Sequence, residues 1–148
     1  MTYDALRAGR RSEIGRAYHV TVATADRTPL FTDFSLARQA IHHLRRVDGL
    51  GLTETLAWVL MPDHLHWLLV LRKGTLSEAL RSMKGGSARA INLMRNANTA
   101  VWQRAYYDHA LRDDEDLLAA ARYIVANPLR AGLAPCIGLY AHWDSVWL

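Results

Sequence analysis

The hydrophobic positions of the chain form four short β-rich segments and three longer segments bounded by helix-capping residues and glycines. Residues 18–22 contain β-branched and aromatic residues and predict a first strand. Thr53–Met61 and His64–Leu71 predict two more strands, which the tight Pro-Asp turn between them should join into a hairpin. Residues 101–107 predict a fourth strand.

The first and third of the longer segments carry clear signals for the ends of helices. The first predicted helix is capped by Asp33 or Ser35 and runs to about Val47, where a glycine-rich stretch ends it. The third begins at Asp113, and its first turn is acidic, as the helix dipole favours. It should stop near Asn127, because the residue before a proline avoids the α region.

The second predicted helix is the longest and extends from about Thr75 to Met94. Gly85 and Gly86 weaken its middle by up to about 1 kcal/mol each, which favours a break there. One side of this helix is apolar, as expected for a helix packed on a sheet. That side carries Leu76, Ala79, Leu80, Met83, Ala90 and Met94.

Strands and helices that do not alternate regularly predict an α+β fold with a central, mainly antiparallel sheet and helices packed on it. Hydrophobic residues make up 51% and charged residues 22% of the 148 residues, which is typical of globular proteins. No apolar run approaches the roughly 20 residues of a membrane span, and no signal peptide is visible. We therefore expect a soluble, cytoplasmic protein with one domain, 1–148, comprising a basic arm at 1–16 and a C-terminal tail at 134–148.

Charge and cysteine content narrow the possible functions. The single Cys136 excludes an internal disulfide and a cysteine-based zinc site. The net charge is +4, and 16 of the 18 basic residues are arginine. Because the planar guanidinium suits bidentate contacts with phosphate and guanine, this balance favours a nucleic-acid partner. An arginine-rich composition inherited from the genome would look the same.

The clearest candidate for chemistry is the pair His64 and His66 at the start of the third predicted strand. Alternate residues of a strand share a face, so the two imidazoles project together about 7 Å apart along the strand. Such a pair can hold one divalent metal ion. The alternative is two half-buried histidines with no ligand.

A second candidate is Tyr123 with Asn127 on the last long predicted helix. Tyr123 falls about 150° from the centre of that helix's apolar stripe, and Asn127 shares its face one turn later. Core packing within the helix does not explain a tyrosine there. A surface tyrosine, or one covered by another element, remains the alternative. The stripe consists of Leu117, Leu118, Ala121, Ile124 and Val125.

These segments, taken in order, resemble the REP-associated tyrosine transposases, a branch of the single-tyrosine transposases with a histidine–hydrophobic–histidine motif. The resemblance implies that His64, His66 and Asn127 are metal ligands, that the ion is Mg2+ or Mn2+, and that Tyr123 is the nucleophile. The matching segments are YHVT at 18–21, MPDHLH at 61–66, VWQRAYYDH at 101–109 and YIVANPLRAGL at 123–133.

The same resemblance implies metal-dependent, sequence-specific cleavage and joining of single-stranded hairpin DNA through a 5′-phosphotyrosine, by a monomer. The alternatives are a domesticated module that binds such hairpins without turnover, and a relaxase or replication initiator. Relaxases usually place the tyrosine before the histidine pair, which disfavours that branch.

Tyr106 and Tyr107 are rival nucleophiles, of which one should pack inward. The candidate DNA contacts are Arg81, Lys84, Arg89, Arg95 and Arg104.

Overall fold

A computed structural model describes residues 12–147, so most of the predicted arm at 1–16 lies outside the described residues. Within residues 12–147, five strands form one sheet, and the helices pack on its two faces. The strands are β1 (Ala17–Ala23), β2 (Thr53–Met61), β3 (His64–Leu71), β4 (Tyr107–Ala110) and β5 (Trp143–Ser145). The α-helices are α1 (Phe34–Gly49), α2 (Leu76–Arg95), α3 (Leu117–Val125) and α4 (Asn127–Arg130). Single 3-10 turns occur at Ala25–Arg27, Leu30–Thr32 and Ile137–Leu139.

The sheet has the order β4-β1-β3-β2-β5, and every neighbouring pair of strands is antiparallel. The predicted α+β class with a mainly antiparallel sheet is therefore confirmed. The β2–β3 hairpin has the predicted bounds, and Met61 pairs with His64 across the two-residue turn. This turn brings His64 to one end of a central strand.

The two faces of the sheet are covered by different helices. On one face, odd-numbered residues of β3 such as Trp67 and Leu69 pack with α1 and α2 in the larger core cluster. On the other face, Leu68 and Val70 pack with α3. Since alternate residues share a face, His64 and His66 belong to the face that α3 covers.

Helix α1 begins as predicted, because the Asp33 side chain accepts a hydrogen bond from the Leu36 backbone N–H. The predicted cap of α3 is wrong. Asp116, not Asp113, accepts hydrogen bonds at the helix start, from the backbone N–H groups of Leu118 and Ala119. The acidic residues before it belong to the loop that leaves β4.

The predicted fourth strand at 101–107 is also wrong, because pairing with β1 begins only at Tyr107 and continues to Ala110. Trp102 makes a single bridge to Thr24, and its indole N–H donates to the Ser87 hydroxyl at 2.9 Å. This inward-turned tryptophan anchors the segment to α2. The β-rich composition of 101–107 therefore reflects an irregular connection that buries Val101, Trp102 and Tyr106, and not a strand.

Helix α2 continues through Gly85 and Gly86, so the break that the two glycines favour does not occur. A Cβ atom added to Gly86 would lie 2.9 Å from the Cε1 atom of His43, a residue of α1. The glycine thus permits a close approach of the two helices. The predicted apolar side also shifts in the second half of the helix, where Ser87 and Ile91 are buried while Met94 is exposed.

The two glycines of α2 should respond oppositely to alanine. Gly86→Ala should lower the free energy of unfolding by about 1 kcal/mol, because the new methyl group must displace the half-buried ring of His43. Gly85→Ala is the matched control: nothing lies within 4 Å of the position that its new methyl group would occupy, so the better helix former should stabilise by about 0.5–1 kcal/mol. Urea unfolding measures both. Equal effects of the two substitutions would contradict the close approach of α1 and α2.

The predicted tail at 134–148 contributes the edge strand β5, which pairs with β2. The Tyr140 hydroxyl donates to the Leu60 carbonyl at 2.6 Å, and the Trp143 indole N–H donates to the Ile137 carbonyl at 3.0 Å. The first contact ties the segment to β2, and the second ties β5 to the 3-10 turn that precedes it. None of the helices within 12–147 is long and apolar enough to cross a membrane.

Candidate active site

Histidine, threonine and tyrosine side chains cluster on the α3 face of the sheet, next to the β2–β3 turn. The His64 and His66 rings lie 5.0 Å apart between centroids. Thr21 of β1 is paired directly with His66, and Tyr107 of β4 is paired with Thr21. Directly paired residues of antiparallel strands share a face, so all four side chains lie on one surface. The structure therefore brings the two predicted histidine ligands together.

The Nδ1 atom of each histidine has a protein partner. His64 Nδ1 lies 2.7 Å from the carboxylate of Asp63, to which it donates a hydrogen bond. His66 Nδ1 lies 3.0 Å from His19 Nε2 and 3.3 Å from the Thr21 hydroxyl. A partner at Nδ1 fixes the ring orientation and leaves Nε2 to bind a metal. The pair therefore has the chemistry of two preorganised imidazole ligands.

Burial keeps the imidazole of His66 neutral. Its pKa falls from 6.5 to about 3, first because the ring is buried and then because His64, His19 and Arg130 contribute positive charge. Burial and the nearby His109 likewise lower the pKa of His19. A metal ligand must be unprotonated, and His66 meets this requirement at neutral pH.

This lowered pKa predicts a pH-dependent stability. Below pH 6.5 the unfolded chain binds a proton at His66 that the folded chain does not bind until about pH 3. The contribution of the neutral His66 imidazole to the free energy of unfolding is complete above pH 6.5. It declines as the pH falls, and about 2 kcal/mol of it is lost at pH 5. Urea unfolding of wild type and of His66→Asn should therefore show a steeper decline for the wild type between pH 6.5 and 5. Parallel pH profiles would contradict the burial of this ring.

Asp63 connects the turn to this site. Its carboxylate also accepts a hydrogen bond from Arg27 at 3.0 Å. Burial opposes ionisation, but the hydrogen bonds from His64 and Arg27 hold the pKa of Asp63 below its usual value. The carboxylate is thus a permanent acceptor for His64. Sequence reasoning assigned this residue only to the turn, although an acidic residue directly before a candidate ligand histidine is a signal for such support.

Tyr123 lies on the outer side of α3, above the same sheet face. Its side chain is 61% exposed, whereas the neighbouring Ile124 is fully buried against the sheet, as the helical wheel predicts. The Arg130 guanidinium carbon lies 3.9 Å from the centroid of the Tyr123 ring, and Arg130 also donates to the Tyr123 carbonyl at 2.7 Å. Arg130 therefore covers one face of the Tyr123 ring.

Asn127 is the first residue of α4 and lies four residues after Tyr123. Its side-chain NH2 donates to the Ile124 carbonyl at 2.9 Å. This bond fixes the orientation of the amide, and it uses the nitrogen and not the oxygen. An amide oxygen is a suitable ligand for a hard cation. Within 12–147 no three His, Cys, Asp or Glu side chains are close enough to hold a metal ion. His64 and His66 can therefore hold a metal ion only if the other ligands are oxygen atoms that do not belong to Asp or Glu side chains.

The two rival tyrosines have different surroundings, as predicted. Tyr106 is 4% exposed, and its hydroxyl lies 3.1 Å from the Ser77 hydroxyl on the opposite side of the sheet. Tyr107 is 66% exposed and lies on the histidine face. Tyr107 is therefore the alternative nucleophile that experiments must distinguish from Tyr123.

The arginines predicted to contact DNA lie away from the histidine pair. Arg81, Arg89 and Arg95 are exposed on α2, which packs on the opposite face of the sheet. Lys84 is half-buried, and its ammonium donates to the carbonyls of residues 103 and 104 at 2.6 and 3.0 Å. It thereby holds the connection to β4. Burial also lowers the pKa of Lys84.

The chain matches the model of one protein family over most of its length. The family is described as IS200-like transposases, and the match covers residues 14–127. A Haemophilus influenzae protein assigned to the REP-associated tyrosine transposases is 29% identical over 135 residues, which cover 80% of this chain and 73% of that protein. A REP-associated tyrosine transposase of Escherichia coli is 30% identical over 105 residues, 70% of this chain and 59% of the relative.

Two solved structures share the fold. A REP-associated tyrosine transposase bound to a REP hairpin superposes with a TM-score of 0.77 at 23% identity, covering 90% of this chain and 79% of that one. A Deinococcus radiodurans protein described as a transposase superposes with a TM-score of 0.56 at 21% identity, covering 80% of this chain and 95% of the other. At these identities the structures support the architecture of the sheet and its helices.

Proposed function

The chain belongs to the IS200-like transposase family, and from this premise we propose that it cleaves and joins single-stranded hairpin DNA through a covalent bond to Tyr123. His64 and His66 would hold a divalent metal ion, Mg2+ or Mn2+, with Asn127 as third protein ligand. The observation that carries the proposal is the shared face: the histidine pair lies on the side of the sheet that the Tyr123 helix covers.

The proposed reaction transfers a phosphoryl group between two oxygens. The Tyr123 hydroxyl oxygen attacks the phosphorus, the bond from phosphorus to the 3′ oxygen breaks, and the 3′ oxygen leaves as a hydroxyl with a proton. The proton of the phenol passes to solvent. One phosphoester bond replaces another, so the 5′-phosphotyrosine retains what is needed for rejoining. The exposure of Tyr123 supports the proposal, because DNA can reach its hydroxyl without displacing the core.

The metal proposal rests on the donors that the chain offers. A bound divalent ion would polarise the non-bridging phosphate oxygens and help to orient the phosphate. The chain itself holds His64 through Asp63 and His66 through His19, and it keeps His66 neutral by burial. Imidazole ligands alone suit zinc or manganese better than magnesium, so the preference for Mg2+ or Mn2+ rests on the family resemblance.

We propose hairpin DNA as the substrate because a solved relative with this fold is bound to a REP hairpin. Unpaired bases should carry the recognition, so a single-stranded hairpin should bind much more tightly than a perfect duplex of the same sequence.

Each of Arg81→Ala, Arg89→Ala and Arg95→Ala should reduce the salt dependence of binding by about one unit if that arginine contacts phosphate. Fluorescence anisotropy against salt concentration measures both. Equal affinity for hairpin and duplex would contradict the proposed hairpin substrate. Unchanged slopes of affinity against salt concentration would show that α2 does not contact the DNA.

The function itself is tested by incubating the protein, in Mn2+ or Mg2+, with labelled single-stranded oligonucleotides that fold as hairpins and are copied from the DNA that flanks its own gene. A labelled protein–DNA adduct on a denaturing gel is the expected result. Tight binding with neither adduct nor cleaved strand would instead show a module that recognises hairpins without turnover. Perfect duplex DNA of the same sequence is the matched control substrate.

A further inference from the structure

Arg130 has no part in the mechanism above, yet it lies against the proposed nucleophile. It is the last residue of the short helix α4, and one of its terminal NH2 groups donates to the Tyr123 carbonyl at 2.7 Å. Its guanidinium carbon lies 3.9 Å from the centroid of the Tyr123 ring. A hydrogen bond at one end and a ring at its face together hold the guanidinium beside the tyrosine.

We propose that Arg130 is a catalytic residue that binds the scissile phosphate beside the Tyr123 hydroxyl. This inference rests on the proposed function, since it takes Tyr123 as the nucleophile. The ligand class is a DNA phosphodiester, and the contact is a charge-assisted hydrogen bond to its non-bridging oxygens.

The donors of Arg130 are only partly used by the protein. A guanidinium has five N–H groups arranged as a fork that matches the geometry of phosphate. The Tyr123 carbonyl takes one of them, and stacking on the ring uses the face of the group and none of its hydrogens. Among residues 12–147 no carboxylate forms an ion pair with Arg130. The remaining donors are therefore available to an anion that arrives with the substrate.

The charges of the site also favour this role. Helix α3, which carries Tyr123, packs on the sheet face that also carries the two proposed histidine ligands, and the guanidinium of Arg130 is held against Tyr123. During transfer the non-bridging oxygens gain negative charge as the tyrosine oxygen bonds to phosphorus. A fixed guanidinium stabilises this charge without reorganising.

A purely structural role predicts different behaviour. If Arg130 only orients the ring of Tyr123, its removal weakens activity whether or not the phosphate is charged. If it binds the phosphate, its effect requires the negative charge. A methylphosphonate, which replaces one non-bridging oxygen with a methyl group, removes that charge at one chosen position of the DNA.

The test uses the full chain with Tyr123→Phe, which keeps the ring under Arg130 but removes the nucleophile. Hairpin oligonucleotides with a single-stranded 5′ extension carry one methylphosphonate each, placed in turn at every linkage of the extension and the hairpin foot. Affinities are measured for this protein and for the same protein with Arg130→Ala. Arg122→Ala, which removes an exposed arginine of α3 next to the tyrosine, is the matched control for lost charge.

We expect one linkage at which the methylphosphonate weakens binding by about 10-fold or more, the effect of a lost charge-assisted hydrogen bond. That loss should persist in the Arg122→Ala protein and disappear in the Arg130→Ala protein. The linkage should be the one that the wild-type protein cleaves, and Arg130→Ala in that active protein should slow cleavage by about 100-fold or more.

The proposal is overturned if no linkage shows such an Arg130-dependent effect. It is also overturned if the linkage that shows the effect is not the one that the wild-type protein cleaves. Because affinity is measured without cleavage, the outcome stands apart from the proposed function. A wild-type chain that forms no adduct, yet shows an Arg130-dependent linkage, would refute the function and retain the phosphate contact.

Discussion

Tyr123→Phe should abolish both the covalent adduct and strand cleavage while leaving hairpin affinity within about twofold of the wild type. The substitution removes one oxygen from a side chain that is 61% exposed, so the core is untouched. The ring that carries Arg130 remains. Loss of a nucleophile costs on the order of 10⁴-fold or more in rate, because no neighbouring group repeats its chemistry. Single-turnover cleavage assays and anisotropy measure the two quantities.

The controls for this substitution are the other two candidate tyrosines. Tyr107→Phe alters a residue of similar exposure on the same sheet face and should still form the adduct. Tyr106→Phe removes a buried hydroxyl that contacts Ser77, so it should lower stability slightly and also retain the adduct. An adduct that survives Tyr123→Phe and disappears with Tyr107→Phe would place the nucleophile on β4.

His64→Ala and His66→Ala should each abolish cleavage and weaken Mn2+ binding by more than about 100-fold, because each removes one of two imidazole ligands. Hairpin affinity should change little, since the exposed arginines remain. EDTA should reproduce the loss of cleavage in the wild type, and added Mn2+ or Mg2+ should reverse it. Titration calorimetry of Mn2+ provides a reading that does not depend on activity.

The matched control is His42→Ala, which removes an exposed histidine of α1, a helix packed on the other side of the sheet. It should leave Mn2+ affinity and cleavage unchanged. Full cleavage by the wild type in EDTA would remove the metal from the mechanism. Unchanged Mn2+ affinity in His66→Ala would place the metal elsewhere.

Local signals were sufficient for the parts of this fold that short-range chemistry determines. The Pro-Asp turn set the length and register of the β2–β3 hairpin, and strand alternation placed His64 and His66 on one face. The helical wheel left Tyr123 outside the core. Each of these features depends on residues a few positions apart, so periodicity alone could predict it.

Features that depend on tertiary contacts could not be predicted in this way. Residues 101–107 have the composition of a strand, but Trp102 turns inward to Ser87 and delays pairing until Tyr107. Gly86 is a helix breaker in isolation, yet its missing side chain lets His43 approach. Both cases are tertiary contacts that override local propensity.

The partners of the residues that support the site could not be predicted from the sequence, for the same reason. His19 lies 47 positions before His66, and only the pairing of β1 with β3 brings their ring nitrogens to 3.0 Å. Arg130 follows Tyr123 by seven residues, a spacing of two helical turns. The chain, however, ends α3 at Val125 and starts α4 before the arginine folds back over the ring.

Identifying the amino acid that carries the DNA tests most directly whether Tyr123 is the nucleophile. The adduct formed by the wild-type protein with a labelled hairpin is digested with nuclease and protease, and the modified peptide is sequenced by mass spectrometry. We expect a 5′-phosphonucleotide on Tyr123 and on no other residue. The same modification on Tyr107, or an adduct on a serine or histidine, would contradict it.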